Sequence, residues 1–273
     1  NHWLVPQKMQ HFLRINQDIL VNGHYLAFNR HVEAGDQITM NFSEVSVKVQ
    51  DYELDERQSF SVLYEDDDLL VVNKPAGIKT HPNGPGENFT LMNQVAAYLA
   101  KQDKKAYMVH RIDQATSGVL LIGKTPIVIG ILNRQLSQKT MSRQYIAIAN
   151  DPEQTLLEHA TINLPIGVDP YNKRKRTIDY ITGLSAVTHY QLLHRKGPAA
   201  TLAVNLETGR THQIRLHLAA DGHPILGDPL YFPTDSTQRL LLHGQTLRYT
   251  EPFTDEQRTV TAPIPDIFNQ YVD

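Results

Sequence analysis

The chain has 273 residues, of which 41% are hydrophobic and 20% charged, and its formal net charge is −3 at pH 7. This composition is typical of a globular protein and excludes collagen-like, low-complexity and wholly disordered chains. The chain contains no cysteine, which excludes disulfides, thiolate metal sites and a cysteine nucleophile. It has no apolar run of bilayer length and no signal-peptide pattern, so we expect a soluble, cytoplasmic protein that does not enter membranes.

The first 50 residues are predicted to form a small module of their own, joined by a linker over residues 51–59 to a main body over residues 60–273. The predicted elements of the module are a helix over residues 6–15, a hairpin that turns at Asn22-Gly23 and continues through Ala27 and Phe28, and a strand over residues 37–40. The linker is predicted from its acidic residues, which favour contact with solvent.

Short apolar strands and amphipathic helices alternate irregularly along the main body. The predicted strands cover residues 69–73, 119–122, 144–149, 187–193, 201–206 and a segment that starts at 240, and the predicted helices begin at Thr90, Thr125-Pro126 and Thr211. There is no regular βαβ rhythm. The sequence therefore predicts an α+β fold with a mixed, largely antiparallel sheet, flanking helices and a central cleft.

The charge is unevenly distributed along the chain. Residues 104–149 and 171–217 together hold 15 of the 26 Lys and Arg residues but 3 of the 29 acids, a net charge of +12, whereas the rest of the chain carries −15. If the two windows meet in space, they form a positive face that attracts a phosphate backbone. A chance fluctuation along the chain is the alternative.

Asp113 is the one acid in the first basic window, and it lies in a polar loop between two apolar strands. A carboxylate surrounded by positive charge and hydrogen-bond donors stays ionised, which suits a nucleophile or an electrostatic stabiliser. The loop HRIDQATSG also contains residues that favour turns, so Asp113 as a simple turn residue is the alternative.

A second cluster of polar residues follows Gly209. Arg210, His212 and Arg215 come together near the predicted start of a helix, where the helix dipole already repels cations, so a partner anion is implied. That anion is either a phosphate or the Asp113 carboxylate. The alternative is a pair of surface arginines whose side chains lie over the sheet.

Neither a metal nor a nucleotide cofactor is predicted. His212, His217 and His223 are not spaced as two ligands on one helical face, and no phosphate-binding glycine motif is present. The basic run Lys173, Arg174, Lys175 and Arg176 is either a solvated loop or a contact to phosphates.

Taken together, these motifs resemble the RluA-type pseudouridine synthases over about residues 60–253. The strings that carry the resemblance are LLVVNKPAGIKTHP, HRIDQATSGVLLIGK, TGRTHQIRLHLAADGHPILGDPLY and LLLHGQTLRYTEP. Residues 8–40 also resemble the later part of the small RNA-binding module named after ribosomal protein S-four. The sequence departs from the family pattern in Arg143, where a lysine is usual, and in Gly244, in place of an alanine. The N-terminal module also departs from it, because it lacks its first helix and is acidic.

The resemblance implies an isomerase that converts uridine to pseudouridine in structured RNA. It implies that Asp113 is the nucleophile, that Tyr145 stacks on the target base and that Arg215 pairs with the carboxylate. Arg111 is implied to displace the target base, and the remaining residues expected to bind substrate are His110, Arg210, His212, Leu242 and the basic run. Tyr145 is also a candidate for removing the proton from carbon-5 of the base.

The reaction is redox-neutral, so we expect no cofactor and no metal, and we expect the protein to act as a monomer. Ribosomal RNA is the expected substrate, and transfer RNA is the alternative. Two other classes of function stay open on the residues alone. One is a non-catalytic RNA-binding protein on the same fold, and the other is a metal-dependent hydrolase that uses His110, His212 and His217.

Overall fold

The computed structural model describes residues 5–27, 29–41, 50–233 and 239–271. The N-terminal module contains one helix and a small antiparallel sheet in the order β2-β1-β3. Its elements are α1 (Gln7–Ile15), β1 (Ile19–Val21), β2 (His24–Tyr25) and β3 (Ile38–Met40). Helix α1 buries Met9 and Leu13, and Met9 belongs to a hydrophobic cluster of the main body. The module is therefore packed against the main body through α1.

The main body is built on a ten-stranded sheet with the path β4-β5-β7-β14-β8-β13-β12-β9, to which β15 adds beside β14 and β6 beside β7. The strands of the main body are β4 (Ser61–Glu65), β5 (Leu69–Lys74), β6 (Tyr107–Met108), β7 (Ser117–Gly123), β8 (Ser142–Asn150), β9 (His159–Asn163), β10 (Ile166–Val168), β11 (Arg176–Ile178), β12 (Val187–Lys196), β13 (Ala199–Leu206), β14 (Leu242–Thr250) and β15 (Gln257–Thr261). Its helices are α2 (Leu91–Ala100), α3 (Pro126–Ser137), α4 (Gln213–Ala220) and a 3-10 turn over Asp266–Phe268.

Within the described residues the pairs of this sheet are antiparallel except one, the parallel pair of β14 with β7. Strand β14 also pairs with β8, so it joins the part of the sheet that precedes α3 to the part that follows it. This mixed, largely antiparallel sheet with flanking helices confirms the predicted α+β class. A separate hairpin, β10 with β11, stands outside the large sheet.

Local sequence explains the helices on the two faces of the sheet. Thr90 and Asn93 form a capping box at the start of α2, and Pro126 occupies the first turn of α3 after Thr125. Helix α2 contributes its apolar residues to one hydrophobic cluster and α3 to the other. The buried strands β5 and β7 lie between them, which accounts for their continuous apolar sequences.

Two predicted details need correction. The helix expected from Thr211 begins at Gln213, and His212 is its N-cap. Strand β2 ends at Tyr25, so Ala27 is not in a strand, and Phe28 lies outside the described residues. The predicted linker is largely exposed and is tied to α2 where Asn93 Nδ2 donates to Glu53 O at 2.8 Å.

Candidate active site

Asp113 lies in the connection between β6 and β7, called here the Asp113 loop (residues 109–116). Two neighbours hold the loop on either side of the carboxylate. Thr80 Oγ1 donates to the backbone carbonyl directly before Asp113 at 2.7 Å, and Gly77 N–H donates to the carbonyl directly after it at 2.8 Å. The loop is thus fixed by the turn-rich segment that follows β5, and the Asp113 side chain lines a cavity.

Arg215 reaches Asp113 from the first turn of α4. Its Nη1 lies 3.3 Å from Asp113 Oδ2, and its Nε and Nη2 each donate to Asp228 at 2.8 Å. Asp228 is fully buried and also accepts the backbone N–H groups of Leu230 and Tyr231. Burial alone would raise the pKa of Asp228, but the hydrogen bonds and charge of Arg215 outweigh it and lower that pKa. Asp228 therefore stays ionised and fixes the arginine that faces Asp113.

His212 forms the next part of the wall. It adopts a left-handed conformation with φ 58° as the N-cap of α4, and its Nε2 lies 3.9 Å from Asp113 Oδ2. Its Nδ1 lies 3.1 Å from the hydroxyl of Tyr231. Burial lowers the pKa of His212, with the Arg215 charge adding to the effect against the opposing charge of Asp113. The imidazole is accordingly neutral at neutral pH.

Tyr145 and Leu242 bring apolar surface to the same cavity from β8 and β14. Tyr145 is opposite Gly244 in the register of these strands, and a Cβ on Gly244 would lie 3.4 Å from Tyr145 Cε1. Gly118 approaches Gly244 so closely that a Cβ would lie 2.1 Å from Gly244 O. Burial raises the pKa of the Tyr145 hydroxyl, with Arg143 opposing the shift, so the phenol stays protonated at neutral pH.

The mouth of the cavity carries positive charge from both basic windows of the sequence. Arg111 and Arg143 come from the first window, and Arg210 comes from the second. Arg111 is exposed and also borders a neighbouring cavity of about 130 Å³ beside His81. A carboxylate beside an arginine, an aromatic floor and a cationic mouth can bind a planar base together with its phosphates and present one carboxylate oxygen to it.

Comparison with known proteins agrees with this geometry. A sequence model of the family described as RNA pseudouridylate synthase matches residues 68–220. A second, described as the RluD ribosomal pseudouridine synthase N-terminal domain, matches residues 1–38. The first match spans more than half of the chain. This chain belongs to the RNA pseudouridylate synthase family.

Individual relatives support the assignment over most of the length. The chain is 39% identical to an uncharacterized RNA pseudouridine synthase of Bacillus subtilis, over 92% of this chain and 82% of the relative. It is 37% identical to the ribosomal large subunit pseudouridine synthase D of Neisseria meningitidis, over 77% of this chain and 60% of the relative. The solved structure of human RNA pseudouridylate synthase domain containing 1 superposes with a TM-score of 0.64, at 26% identity, over 79% of this chain and 86% of that one.

The structure of this family member gathers most of the predicted site residues around one cavity. Asp113, Tyr145, Arg215, Arg111, Arg210, His212 and Leu242 all line it. His110 does not, because its side chain is buried against β7, where its Nε2 accepts the N–H of Leu121 at 3.2 Å. Burial lowers the pKa of His110 to about 3, so it is neutral. Its place is structural rather than at the substrate surface.

The basic run Lys173–Arg176 lies next to the cavity, on the hairpin of β10 and β11. Arg176 N–H donates to the Tyr231 hydroxyl at 2.9 Å, and Lys175 Nζ lies 5.9 Å from the centroid of the Tyr231 ring. The segment of residues 165–184, called here the β10–β11 arm, therefore joins the wall formed by His212 through Tyr231.

Four further residues at or beside the cavity were not predicted as site residues from the sequence. Asp228 and Tyr231 stand in the GDPLY string, where only their place in the motif hinted at a role, and Arg143 was noted only as a departure. The fourth is Lys74, which is fully buried and donates to the carbonyls of Pro75, Ile78 and Gln114. Burial lowers the pKa of Lys74 to about 7 against the opposing charge of Asp113.

The histidines considered for a metal have other partners. The Nδ1 of His217 lies 2.9 Å from Thr188 Oγ1, and its Nε2 lies 3.0 Å from Leu164 O, so both of its nitrogens are occupied. Within the described ranges, no three His, Asp or Glu side chains converge as ligands of one ion. None of the described helices has the length and apolar composition to traverse a bilayer.

Proposed function

We propose that the chain isomerises uridine to pseudouridine in ribosomal RNA, with Asp113 as the nucleophile. The observation that carries the proposal is the Asp113 carboxylate, held 3.3 Å from Arg215 Nη1 in a cavity that Tyr145 also lines. Ribosomal RNA as the substrate is supported by the N-terminal match and by the name of the Neisseria relative, a ribosomal large subunit pseudouridine synthase.

The reaction breaks the bond between N1 of uracil and the ribose, turns the base and joins its carbon-5 to the same ribose carbon. Asp113 attacks either that ribose carbon or carbon-6 of the base. In the first route an ester forms as N1 leaves with the bonding electrons. Carbon-5 then displaces the carboxylate and loses its proton to water, while N1 takes up a proton, so the product is an isomer of the substrate. Nothing is oxidised or reduced, so the proposed enzyme needs no cofactor, and it acts as a monomer with all of its site residues on one chain.

Arg215 and His212 both approach Asp113 through Oδ2. Among the described residues none is hydrogen-bonded to Oδ1, which leaves that oxygen for the reacting carbon. Because Asp228 already takes two donors of Arg215, the guanidinium cannot turn fully onto Asp113. Arg215 therefore holds the carboxylate in position and leaves Oδ1 free to act as the nucleophile.

Tyr145 acts as the flat surface on which the detached uracil stacks while it turns. Stacking on an aromatic ring tolerates rotation of the base, because it depends on ring overlap rather than on one hydrogen bond. The raised pKa of the buried phenol disfavours the phenolate that would be needed to take the carbon-5 proton. The structure thus supports the stacking role of Tyr145 over the general-base role.

Residues at the mouth of the cavity and on the β10–β11 arm bind the RNA and expose its base. Taking a base out of its stack costs a few kcal/mol, and the exposed cation of Arg111 beside Asp113 is placed to fill the gap that the base leaves. The β10–β11 arm adds Lys173 and Arg174 for phosphates and the exposed ring of Tyr171 for an unstacked base.

Asp113→Asn tests the nucleophile, because it removes the charge with little change in shape. We expect pseudouridine formation by the purified variant to fall to background while RNA binding is retained. Asp67→Asn, at an exposed carboxylate between β4 and β5, is the matched control and should keep full activity. Turnover by the Asp113→Asn protein would refute the assignment.

The substrate is tested by mapping pseudouridines across all cellular RNA with and without this protein. We expect sites to disappear from ribosomal RNA and to return when the gene is restored, but not when its Asp113→Asn version is supplied. Loss of sites from transfer RNA alone would refute the ribosomal substrate and keep the enzymatic activity. Loss of no site at all would refute both.

A further inference from the structure

Arg143 lines the cavity, but the proposed reaction described above gives it no role. It lies on β8 two residues before Tyr145, so the two side chains project from the same face of the sheet. Its guanidinium borders the cavity that contains Asp113. The Nε of Arg143 is buried and has no hydrogen-bond partner among the described residues.

Gly209 provides the space that this guanidinium occupies. A Cβ at position 209 would lie 3.3 Å from both Nη1 and Nη2 of Arg143, closer than side chains normally approach. Arg210 follows directly and borders the same cavity, with its Nε donating to Ser185 O at 3.2 Å. Arg143 and Arg210 therefore border the same cavity beside a residue that has no side chain.

Both arginines lie at the mouth of the cavity rather than at its floor. Gly209 and Arg210 are exposed and Arg143 is half-buried, whereas Tyr145 is 6% exposed. A base that reaches the Tyr145 ring must bring its own backbone past this mouth. The group that meets the two arginines is then the backbone of the target nucleotide.

A guanidinium only donates hydrogen bonds and keeps its charge, so a buried Nε without an acceptor is unfavourable until an oxygen ligand arrives. Asp113, the carboxylate of this cavity, is already paired with Arg215. We propose that Arg143 and Arg210, spaced by Gly209, form a subsite for the phosphodiester that adjoins the target uridine. The subsite rests on the proposed function, since it assumes that a uridine enters the cavity.

The planar fork of Arg143 explains the departure from lysine at this position. An arginine can engage two phosphate oxygens at once, which a lysine ammonium cannot do in a fixed geometry. The phosphate would also satisfy the buried Nε. The arrangement fixes the ribose and phosphate while the base is detached and turns on Tyr145.

The test compares the binding of uridine with that of uridine 3′,5′-bisphosphate, measured without turnover by titration calorimetry or NMR. We expect the wild-type protein to prefer the bisphosphate. Arg143→Met should weaken bisphosphate binding about tenfold, the loss of one charge-assisted contact, and leave uridine binding unchanged. Arg143→Lys should recover part of that loss. Gly209→Ala should give a smaller loss with the same selectivity, because its Cβ displaces the guanidinium.

Arg248→Met is the matched control. Arg248 is exposed and pairs in register with Ser142, which puts it on the face of the sheet opposite to Arg143. It should leave the binding of both compounds unchanged. If Arg143→Met weakened the binding of uridine and of the bisphosphate equally, Arg143 would contact the base, and the phosphate subsite would be wrong. The subsite would also be wrong if Arg143→Met bound the bisphosphate as tightly as the wild type, or if the wild type did not bind the bisphosphate. Since binding is read without catalysis, these outcomes are independent of whether pseudouridine is formed.

Discussion

Arg215 and Asp228 beneath the Asp113 loop are 3% and 0% exposed, whereas Tyr171 and Ile181 on the β10–β11 arm are 98% and 94% exposed. The first region is a dry pair of opposite charges with three hydrogen bonds to carboxylates in fixed geometry. The second holds four consecutive cations and aromatic surface in contact with water. The two regions are nevertheless joined, because Tyr231 contacts both His212 and Arg176.

The difference assigns the proposed reaction and the proposed RNA binding to different regions of the chain. Charges buried without water interact strongly, but each one depends on its partner, so the loss of one partner destabilises the fold. Exposed charges are screened by salt and contribute little to stability, yet together they attract a phosphate backbone. Substitutions in the buried centre should therefore change stability and turnover, and substitutions in the arm should change RNA binding.

The largest effect is expected from Arg215→Ala. It leaves the buried Asp228 without its partner and Asp113 without its cation, which should cost roughly 3–5 kcal/mol of unfolding free energy and abolish activity. Urea unfolding and a turnover assay measure the two losses. The control is Arg210→Ala, an exposed arginine just before α4, which should change stability by less than about 0.5 kcal/mol. Equal stability of the two variants would contradict the comparison.

In the arm, changing Lys173, Arg174, Lys175 and Arg176 together to Ala should weaken RNA binding and raise KM. If all four contact phosphates, the slope of log affinity against log salt should flatten by about 3, the value for four contacts to a single strand. Binding isotherms at several salt concentrations measure that slope. Unfolding free energy should hardly change, and an unchanged salt slope would show that the run is only a solvated loop.

A pH-dependent effect of intermediate size is expected at His110, in the buried region. Its folded pKa of about 3 lies below the ordinary value of 6.5, so the unfolded chain takes up the proton first as the pH falls. The stabilisation is complete above pH 6.5 and declines toward pH 3, with about 2 kcal/mol lost between pH 6.5 and 5. Plotted against pH, the unfolding free energies of wild type and His110→Gln should converge over this range. The variant should keep a residual slope from His243, because burial lowers the pKa of His243 to about 4. If the two curves stayed parallel as the pH fell, the lowered pKa of His110 would be contradicted.

The smallest effect is expected from Gly244→Ala, which restores the family residue. The new Cβ would make an ordinary contact with the Tyr145 ring at 3.4 Å. Stability should change by less than about 1 kcal/mol, and KM for RNA should stay within twofold. Steady-state kinetics and thermal unfolding measure both. A severe loss of stability or activity would mean that the Tyr145 ring must move during function. That outcome would contradict the fixed geometry described for the buried centre.

Much of the secondary structure of the main body could be predicted, because the patterns that indicate it are local in the sequence. The apolar runs of β5 and β7 and the Thr125-Pro126 start of α3 indicate those elements directly, and the family motifs place Asp113, Tyr145 and Arg215 together. The start of α4 was misplaced because a side chain decides it. Gln213 Oε1 accepts from Thr208 Oγ1 and Arg210 N, which closes the turn ahead of the helix.

Other features depend on contacts that no local pattern shows. The buried partner of Arg215 is Asp228, and the two side chains meet only when the chain folds back over the start of α4. Strands β9, β10, β11 and β15 are short and partly exposed, so their patterns do not stand out from loops. The boundaries of the N-terminal module at residues 50 and 60 stay a prediction.

The insertion of β14 between β7 and β8 has a consequence for the order in which the protein becomes active during synthesis. The site is assembled across this seam, since Asp113 precedes β7, Tyr145 lies on β8 and Leu242 begins β14. Until the ribosome has released residues 242–250, the two halves of the sheet have facing edges with unsatisfied backbone groups and no shared strand. A nascent chain therefore completes the floor of the cavity only after residues 242–250 have been synthesised.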